Sequence, residues 1–594
     1  MNRIKKLFEN KWFQLCFVLA VNLLLFWLVN SMFVSRFDTN DDYRMRLLVS
    51  GDYTGTPNSS AVFMGLPIGS LLAALYTLDR FFPWYGLFMT GCLYISSSYF
   101  FYQILQVEGW TKRLAGSGLY FVFFLYFVLK QLILPTFTVI SAFMGFASVI
   151  AFAKAMDLFF GDENESAPVW KKIFVIFQFL FFFIVSYFIR SQILLMVLPV
   201  LVFVAVVKLV KKKKISYKKL AVLFLPFIAV VAVCMQITQI PMHNPEYRSF
   251  REYTKARSNL YDYYPIPEYE GNEEFYDGIA VSPELLSVIK TRTLDVDQVL
   301  KKETYDAIAD YSKTVSTQNL KQRIKDSILM PVDFVFNHKA LLGVSLAMIL
   351  LTVMCLMYLG GSDQEARMYL LGACGYMLLV PMMLQFRGRL MDRVVETVFL
   401  LGSSLLYLAY LQPDLRFKSV SIKHSTLASK FELLLVLAVC FTVGTTSYLS
   451  LKDGIRGKAN AIETTSNRLE VLKEYAEEHP DNLYFYNSLD FIGASARTWD
   501  IPDGKVLNIE SLGNWNMKSP AYYERNRLFG FESAEEALTT SDHVYYAQLG
   551  DRATALSQLL EDKYDETLEL VDSLDNPYGE PVNIYKVNKT QKDE

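Results

Sequence analysis

Two aspartates and a set of arginines, far apart in the sequence, are the residues of this chain with the clearest chemical potential. Asp41 and Asp42 lie in the segment SRFDTNDDYR, directly after the first apolar stretch. A carboxylate can take the proton from an attacking hydroxyl group that lies within hydrogen-bonding reach. Arginine's planar fork matches phosphate oxygens and stabilises the charge that develops as a bond to phosphate breaks. The arginines that end or follow later apolar stretches are Arg190, Arg387, Arg389 and Arg393. Together these residue types predict group transfer from a phosphate-linked donor.

Arg190 interrupts a long and otherwise almost purely apolar run. A charge at the centre of a bilayer costs roughly 2.5 to 3.5 kcal/mol on insertion scales. Arg190 is therefore expected either where two spanning helices meet the water or beside a polar cavity. At a helix end it could also simply extend its charged head to the interface, without a binding role.

The composition indicates a polytopic membrane protein with water-soluble parts. Of 594 residues, 52% are hydrophobic and 20% are charged, which is too apolar for a soluble enzyme of this size. The formal net charge of -2 gives no indication of a nucleic-acid partner. All six cysteines lie in apolar stretches, which excludes a disulfide framework and a Cys-based zinc site in the aqueous segments.

The apolar stretches and the positive blocks between them predict the topology. The basic start MNRIKKLFENK places the amino terminus in the cytoplasm, and 12–34 is expected to be a retained signal anchor. The Gly- and Pro-containing stretch 61–79 is predicted to lie on the outer interface, because a crossing there would put the lysine block at 211–214 outside. About eleven spans are then predicted: 12–34, 84–106, 114–134, 136–158, 173–190, 191–210, 219–240, 337–360, 369–385, 394–411 and 431–450.

We therefore expect a mainly α polytopic membrane protein, a helical bundle with a carboxy-terminal extracytoplasmic α/β domain. The transmembrane domain is 1–450 and includes a first outer loop at 35–60, an interfacial helix at 61–80 and a large outer loop at 241–335. The α/β domain is 451–594, where helix-like stretches such as LEVLKEYAEEH alternate with strand-like ones such as LYFYN and HVYYAQ.

This topology predicts the aspartates and the arginines on the outer side of one helical bundle. Asp41 and Asp42 could instead only cap a helix that begins near Tyr43. The turn QFRGRLMDRV could instead be a cytoplasmic loop, but the spans around it would then change direction and the basic segment 416–430 would lie outside.

The chain resembles the GT-C superfamily of membrane glycosyltransferases, which use polyprenyl-phosphate or polyprenyl-diphosphate sugars. The matching features are a short amino-terminal segment, one span, the acidic motif Asp41-Asp42 in the first outer loop, the interfacial segment GLPIGSLLAALY and a carboxy-terminal outer domain. The resemblance implies inverting transfer of a sugar from a polyprenyl-phosphate-linked donor to a cell-envelope glycan. It also implies that Asp41 or Asp42 is the general base and that the outer arginines hold the donor phosphate. The WWD-type and HPPL-type motifs of the protein-modifying branches are missing, so the acceptor stays open.

Further candidates lie in the same outer segments. The tyrosine-rich large outer loop offers Arg257 and Asp262 as substrate ligands, although most of its tyrosines are expected to pack the loop. Asp38 is a third such candidate, and with Asp41 and Asp42 it could ligate a divalent cation such as Mg²⁺ or Mn²⁺. The alternatives to an enzyme are a transporter or flippase of lipid-linked oligosaccharide and a non-catalytic scaffold of the same fold.

Overall fold

A computed structural model gives the architecture of the chain. The structure describes residues 6–160, 167–210, 217–315, 320–337, 364–388, 390–412, 454–551 and 554–588. The chain divides into two compact units. Unit 1 comprises Met1–Arg36, Tyr85–Ile237 and Leu320–Ala459, and unit 2 comprises Phe37–Trp84, Thr238–Asn319 and Asn460–Glu594. Unit 2 thus joins both predicted outer loops to the carboxy-terminal segment.

Unit 1 is built from long apolar helices. In the described part of the chain, eight helices are long and apolar enough to cross a membrane. The helices of unit 1, some of which extend by a residue or more into unit 2, are Lys11–Met32, Trp84–Leu105, Trp110–Phe123, Leu129–Ile133, Phe137–Phe160, Val169–Ile189, Leu194–Val210, Tyr217–Gln239, Leu320–Asn337, Gln364–Phe386 and Asp392–Leu411. The predicted spans 337–360 and 431–450 lie wholly or almost wholly outside the described residues.

The helix Phe137–Phe160 is the centre of unit 1. Nearly all of its residues are buried, and it packs against Val169–Ile189, Leu194–Val210 and Asp392–Leu411. A helix that is apolar on every side is expected at such a central position. Two of these neighbours, Val169–Ile189 and Leu194–Val210, expose many large apolar side chains, as helices that face lipid do.

A buried polar cluster joins three other helices of unit 1. Asn22 Nδ2 donates a hydrogen bond to Ser98 Oγ at 2.9 Å, and the Tyr120 hydroxyl donates to Asn22 Oδ1 at 2.6 Å. Such bonds stabilise helix contacts in a membrane because hydrocarbon offers no alternative partner.

Unit 2 contains a five-stranded sheet. Its strands are β1 (Leu483–Asn487), β2 (Ile509–Leu512), β3 (Val544–Leu549), β4 (Thr567–Leu574) and β5 (Val582–Asn588). The strand order is β2-β1-β3-β5-β4; β1 is parallel to both β2 and β3, and β5 is antiparallel to both β3 and β4. The parallel strands are almost wholly buried, as expected for strands covered on both faces, whereas the edge strand β4 is largely exposed.

The segment 238–319 and the carboxy-terminal segment share one hydrophobic core. Tyr253, Leu260 and Tyr276 pack in the same cluster as Phe485 and Tyr546 of the sheet. The helices of unit 2 are Asn40–Ser50, Leu66–Leu78, Pro245–Tyr263, Glu273–Gly278, Pro283–Thr291, Lys302–Val315, Arg456–Glu478 (whose first residues belong to unit 1), Pro520–Leu528, Ala534–Thr540 and Thr554–Tyr564. The predicted fold class, a mainly α polytopic membrane protein with a carboxy-terminal α/β domain, is confirmed.

The predicted interfacial segment 61–80 contains the helix Leu66–Leu78. Its 13 residues have a length of about 20 Å at 1.5 Å per residue, which is less than the hydrocarbon core of a bilayer. The length therefore agrees with a helix that does not cross, while its place at the outer interface stays a prediction.

Candidate functional site

The structure gives Asp41 and Asp42 different surroundings. Both lie in the first turn of the helix Asn40–Ser50, where carboxylates are stabilised by the helix dipole. Thr39 Oγ1 donates a hydrogen bond to Asp42 Oδ2 at 3.0 Å, and Asp42 is fully buried. Asp41 instead lines a cleft in unit 2. The alternative interpretation, that the aspartates cap a helix beginning near Tyr43, is wrong in detail, because the helix begins at Asn40 and both aspartates lie inside its first turn. Of the two, only Asp41 lines the cleft.

The cleft lies at the carboxyl ends of parallel strands. Ser488 follows β1, and Gly513, Asn514 and Trp515 follow β2, so the cleft is at the edge of the sheet where open α/β folds bind ligands. Its volume is about 80 Å³, which is room for several waters or for one compact polar group. The other charged residues that line it are Arg44, Arg257 and Arg292.

Arg257 is a buried guanidinium group without a full set of partners. Its side chain comes from the helix Pro245–Tyr263 and is 2% exposed. The guanidinium carbon lies 4.4 Å from the centroid of the Trp515 ring and 5.8 Å from that of Tyr253. Its Nη1 is buried and has no hydrogen-bond partner in the part of the chain that the structure describes. The sequence predicted Arg257 as a substrate ligand, and the structure places it in the same cleft as Asp41.

Arg292 is held at the cleft by the backbone around it. It ends the helix Pro283–Thr291 in the left-handed conformation, with φ 56° and ψ 30°. Its guanidinium carbon lies 4.7 Å from the Tyr261 ring centroid. The Tyr261 hydroxyl donates a hydrogen bond to the Ile289 carbonyl at 2.7 Å, which fixes the ring, and burial raises the pKa of this hydroxyl. Gly513 has φ +94°, and a Cβ there would lie 2.1 Å from the Arg292 carbonyl oxygen.

Arg44 differs from the other two arginines because it has a carboxylate partner. Its Nη1 lies 3.5 Å from Glu510 Oε1, and its Nη2 donates a hydrogen bond to the Tyr486 hydroxyl at 2.8 Å. These contacts hold the Arg44 side chain between the first outer loop and the sheet. Arg44, Arg292 and Trp515 are absent from the sequence prediction, since no motif surrounds them and only folding brings them to Asp41.

The predicted phosphate-binding arginines belong to unit 1. Arg190 follows the helix Val169–Ile189, and Arg387 is exposed in the turn after the helix Gln364–Phe386. Arg393 is half-buried in the first turn of the next helix. Arg389 lies outside the described residues. The binding role of all four stays a prediction.

Contacts within unit 1 put Arg190 and Arg393 at the same end of its helices. The Arg190 guanidinium carbon lies 4.8 Å from the ring centroid of Phe137, the first residue of its helix. Gln131 accepts a hydrogen bond from the backbone of the residue before Phe137 and donates one to Glu396 at 3.0 Å. Glu396 lies one turn after Arg393 on the same helix.

The other sequence candidates lie elsewhere. Asp38 is half-buried before the first short helix, and Asp262 accepts a hydrogen bond from Ser258 Oγ at 2.5 Å; neither lines the cleft. Asp295, in the same large outer loop as Asp262, is buried and accepts hydrogen bonds from the Tyr522 hydroxyl at 2.6 Å and from the Ala534 amide at 3.1 Å, so it joins parts of the core. Within the described ranges, no group of three or more His, Cys, Asp or Glu side chains is placed to hold a metal ion. A divalent cation on Asp38, Asp41 and Asp42 stays a prediction.

The chain is similar to a protein of known structure. No protein-family model matches the sequence, and no curated protein matches it. The crystal structure of ArnT from Cupriavidus metallidurans in the apo state is similar over 96% of this chain and 97% of its own, with 13% identity and a TM-score of 0.39.

Proposed function

We propose that the protein is a membrane glycosyltransferase of the GT-C type that it resembles. It takes a sugar from a polyprenyl-phosphate-linked donor and transfers it to a cell-envelope glycan on the outer face of the membrane. The spanning helices suit a substrate with a lipid anchor. The observation that carries the proposal is the cleft of unit 2, which Asp41 lines together with Arg257 and Arg292.

The proposed step needs one base and fixed positive charge. Asp41 accepts the proton of an acceptor hydroxyl, and the hydroxyl oxygen forms a bond to the anomeric carbon of the donor sugar. The bond from that carbon to the phosphate oxygen breaks, its electron pair goes to the phosphate, and polyprenyl phosphate leaves with inversion. A phosphate leaving group needs no general acid. Arginines stabilise its charge, and the candidates are Arg190, Arg387, Arg389 and Arg393.

The surroundings of the two aspartates support Asp41 as the base. A base has to contact a substrate, and Asp41, although only 6% exposed, lines the cleft. Asp42 is fully buried and accepts the Thr39 hydrogen bond, which is a structural role at a helix start.

The test is a transfer assay with full-length protein in proteoliposomes. The probe is a radiolabelled sugar on a short polyprenyl phosphate, with an extract of the native cell envelope as acceptor. We expect label to move from lipid to glycan, and Asp41→Asn to lower the initial rate by about 10² to 10⁴-fold, the usual contribution of a general base. Asp481→Asn, an exposed residue of unit 2, is the matched control and should transfer as the wild type does.

Two results would overturn the proposal. One is label that crosses the bilayer while still on its lipid, with no new glycosidic bond, which would indicate a transporter. The other is an Asp41→Asn protein that transfers sugar at the wild-type rate.

A further inference from the structure

We propose that the cleft of unit 2 binds the carboxylate or phosphate group of an anionic sugar in the acceptor glycan. The anion contacts Arg257 and Arg292, and a hydroxyl group of the acceptor faces Asp41. The inference rests on the proposed function and names the substrate class of the same site.

The first argument is the burial of Arg257. Removing a guanidinium group from water costs several kcal/mol, as it does for other ions, unless the group is paired and hydrogen-bonded. Arg257 is 98% buried, and its Nη1 has no partner among the described residues. A bound anion from outside the chain supplies the missing partner. Arginine is suited to this because its fork binds both oxygens of a carboxylate or a phosphate.

The second argument is the balance of charge around the cleft. Three arginines and one aspartate line it. Arg44 lies 3.5 Å from Glu510 Oε1, but Glu510 also pairs with the buried Arg525 at 3.2 Å, so one carboxylate serves two guanidinium groups. Arg257 and Arg292 line the cleft together with the carboxylate of Asp41, so among its described lining residues the positive charges outnumber the negative ones. A neutral sugar would leave that charge without a counterpart.

The third argument is that the two arginines are held in place before a ligand binds. Each guanidinium group lies over an aromatic ring, Arg257 over Trp515 and Arg292 over Tyr261. Stacking restricts the side chains and leaves the edges of the guanidinium groups available for hydrogen bonds. Less conformational entropy is then lost when the anion binds.

The position of Asp41 favours the acceptor over the donor as the ligand. A general base has to lie within about 2.6 to 3.2 Å of the hydroxyl group that it deprotonates. The molecule that contacts Asp41 is therefore the acceptor, and Arg257 and Arg292 line the same cleft.

The test measures binding without any donor, so that it does not depend on turnover. Purified full-length protein is titrated with glucose, glucuronate and glucose 6-phosphate, with saturation-transfer NMR as the readout. We expect glucuronate or glucose 6-phosphate to bind at least tenfold more tightly than glucose, and the preferred anion to indicate whether the acceptor carries a carboxylate or a phosphate. We expect this preference to weaken as salt is added.

Variants locate the site. Arg257→Gln and Arg292→Gln should each lower the affinity for the preferred anion about tenfold or more, which is about 1.4 kcal/mol, and reduce the ratio of anion affinity to glucose affinity. Arg497→Gln, an exposed arginine of unit 2 that is paired with Glu463, is the matched control and should bind as the wild type does. If Arg257→Gln fails to fold, the preference of the wild type and of Arg292→Gln for the anion over glucose still tests the inference.

The inference is overturned if the wild type binds glucose and both anions equally. It is also overturned if farnesyl phosphate, which has no sugar, competes with the anion and loses its own affinity in Arg257→Gln, because the arginines would then hold the donor phosphate. A preference for the anionic sugar in a protein that makes no glycosidic bond would leave the inference in place and refute the proposed function alone.

Discussion

Gly513→Ala tests whether the backbone at the end of β2 positions Arg292. Gly513 has φ +94°, a conformation that costs a residue with a Cβ roughly 1 to 2 kcal/mol. The added Cβ would lie 2.1 Å from the Arg292 carbonyl oxygen and 2.8 Å from Ser488 Oγ. Since carbon and oxygen normally approach to about 3.3 Å, the Arg292 backbone has to move by more than about 1 Å.

The expected effect on function follows from that displacement. A misplacement of about 1 Å at a binding group can lower activity by about 10²-fold. We expect Gly513→Ala to raise the KM for the acceptor by about 10 to 100-fold and to leave the KM for the lipid-linked donor unchanged. The measurement is the initial transfer rate in proteoliposomes at varied acceptor concentration, together with a thermal unfolding curve of the same protein.

Gly271→Ala is the matched control for Gly513→Ala. Gly271 has φ +84°, and apart from its two chain neighbours no heavy atom of the described residues lies within 4 Å of its added Cβ. It therefore has the same conformational cost without the displacement of Arg292, and it should lose stability but keep the acceptor KM. Equal acceptor KM values for the two variants would refute the positioning role of this turn.

Two further predictions concern the stability of unit 2. Glu510→Gln removes the carboxylate that lies 3.2 Å from the buried Arg525, and we expect the free energy of unfolding to fall by about 3 to 5 kcal/mol. The control Glu477→Gln breaks an exposed ion pair and should change the free energy of unfolding by less than about 1 kcal/mol. Denaturant titration in detergent measures both variants. Burial raises the pKa of Asp295 above its usual value of 3.8, so the folded state keeps the carboxyl proton to a higher pH than the unfolded state does. The stability of the folded state therefore falls as the pH rises from about 4 through the folded pKa. The thermal midpoint of Asp295→Asn should therefore rise relative to wild type over that range, and a relative fall would contradict the shift.

Much of the fold could be predicted from the sequence because it depends on local patterns. Apolar length predicted the described spanning helices, and the stretches LYFYN and HVYYAQ predicted the buried strands β1 and β3. The stretch TLELVDSL was not predicted as a strand, and it forms β4 at the exposed edge of the sheet. An edge strand is covered on fewer sides, so its sequence carries a weaker apolar signal.

The candidate site could be predicted only in part. Asp41 was recognisable as a carboxylate after a spanning helix, and Arg257 as a polar residue within an aromatic segment. Arg292 and Trp515 had no such signal, because each comes to the cleft through long-range packing of unit 2. The different surroundings of Asp41 and Asp42 depend on which side chain accepts the Thr39 hydrogen bond, a detail of helix geometry that adjacent identical residues do not reveal.

The rate of the chemical step in the two aspartate variants tests the central claim most directly. Single-turnover transfer is measured for Asp41→Asn and Asp42→Asn with saturating donor and acceptor. We predict that Asp41→Asn slows the step by about 10² to 10⁴-fold, and that Asp42→Asn stays near the wild-type rate because its amide oxygen can still accept the Thr39 hydrogen bond. A fast Asp41→Asn protein together with a slow Asp42→Asn protein would contradict the assignment of Asp41 as the base and of the cleft as the acceptor site.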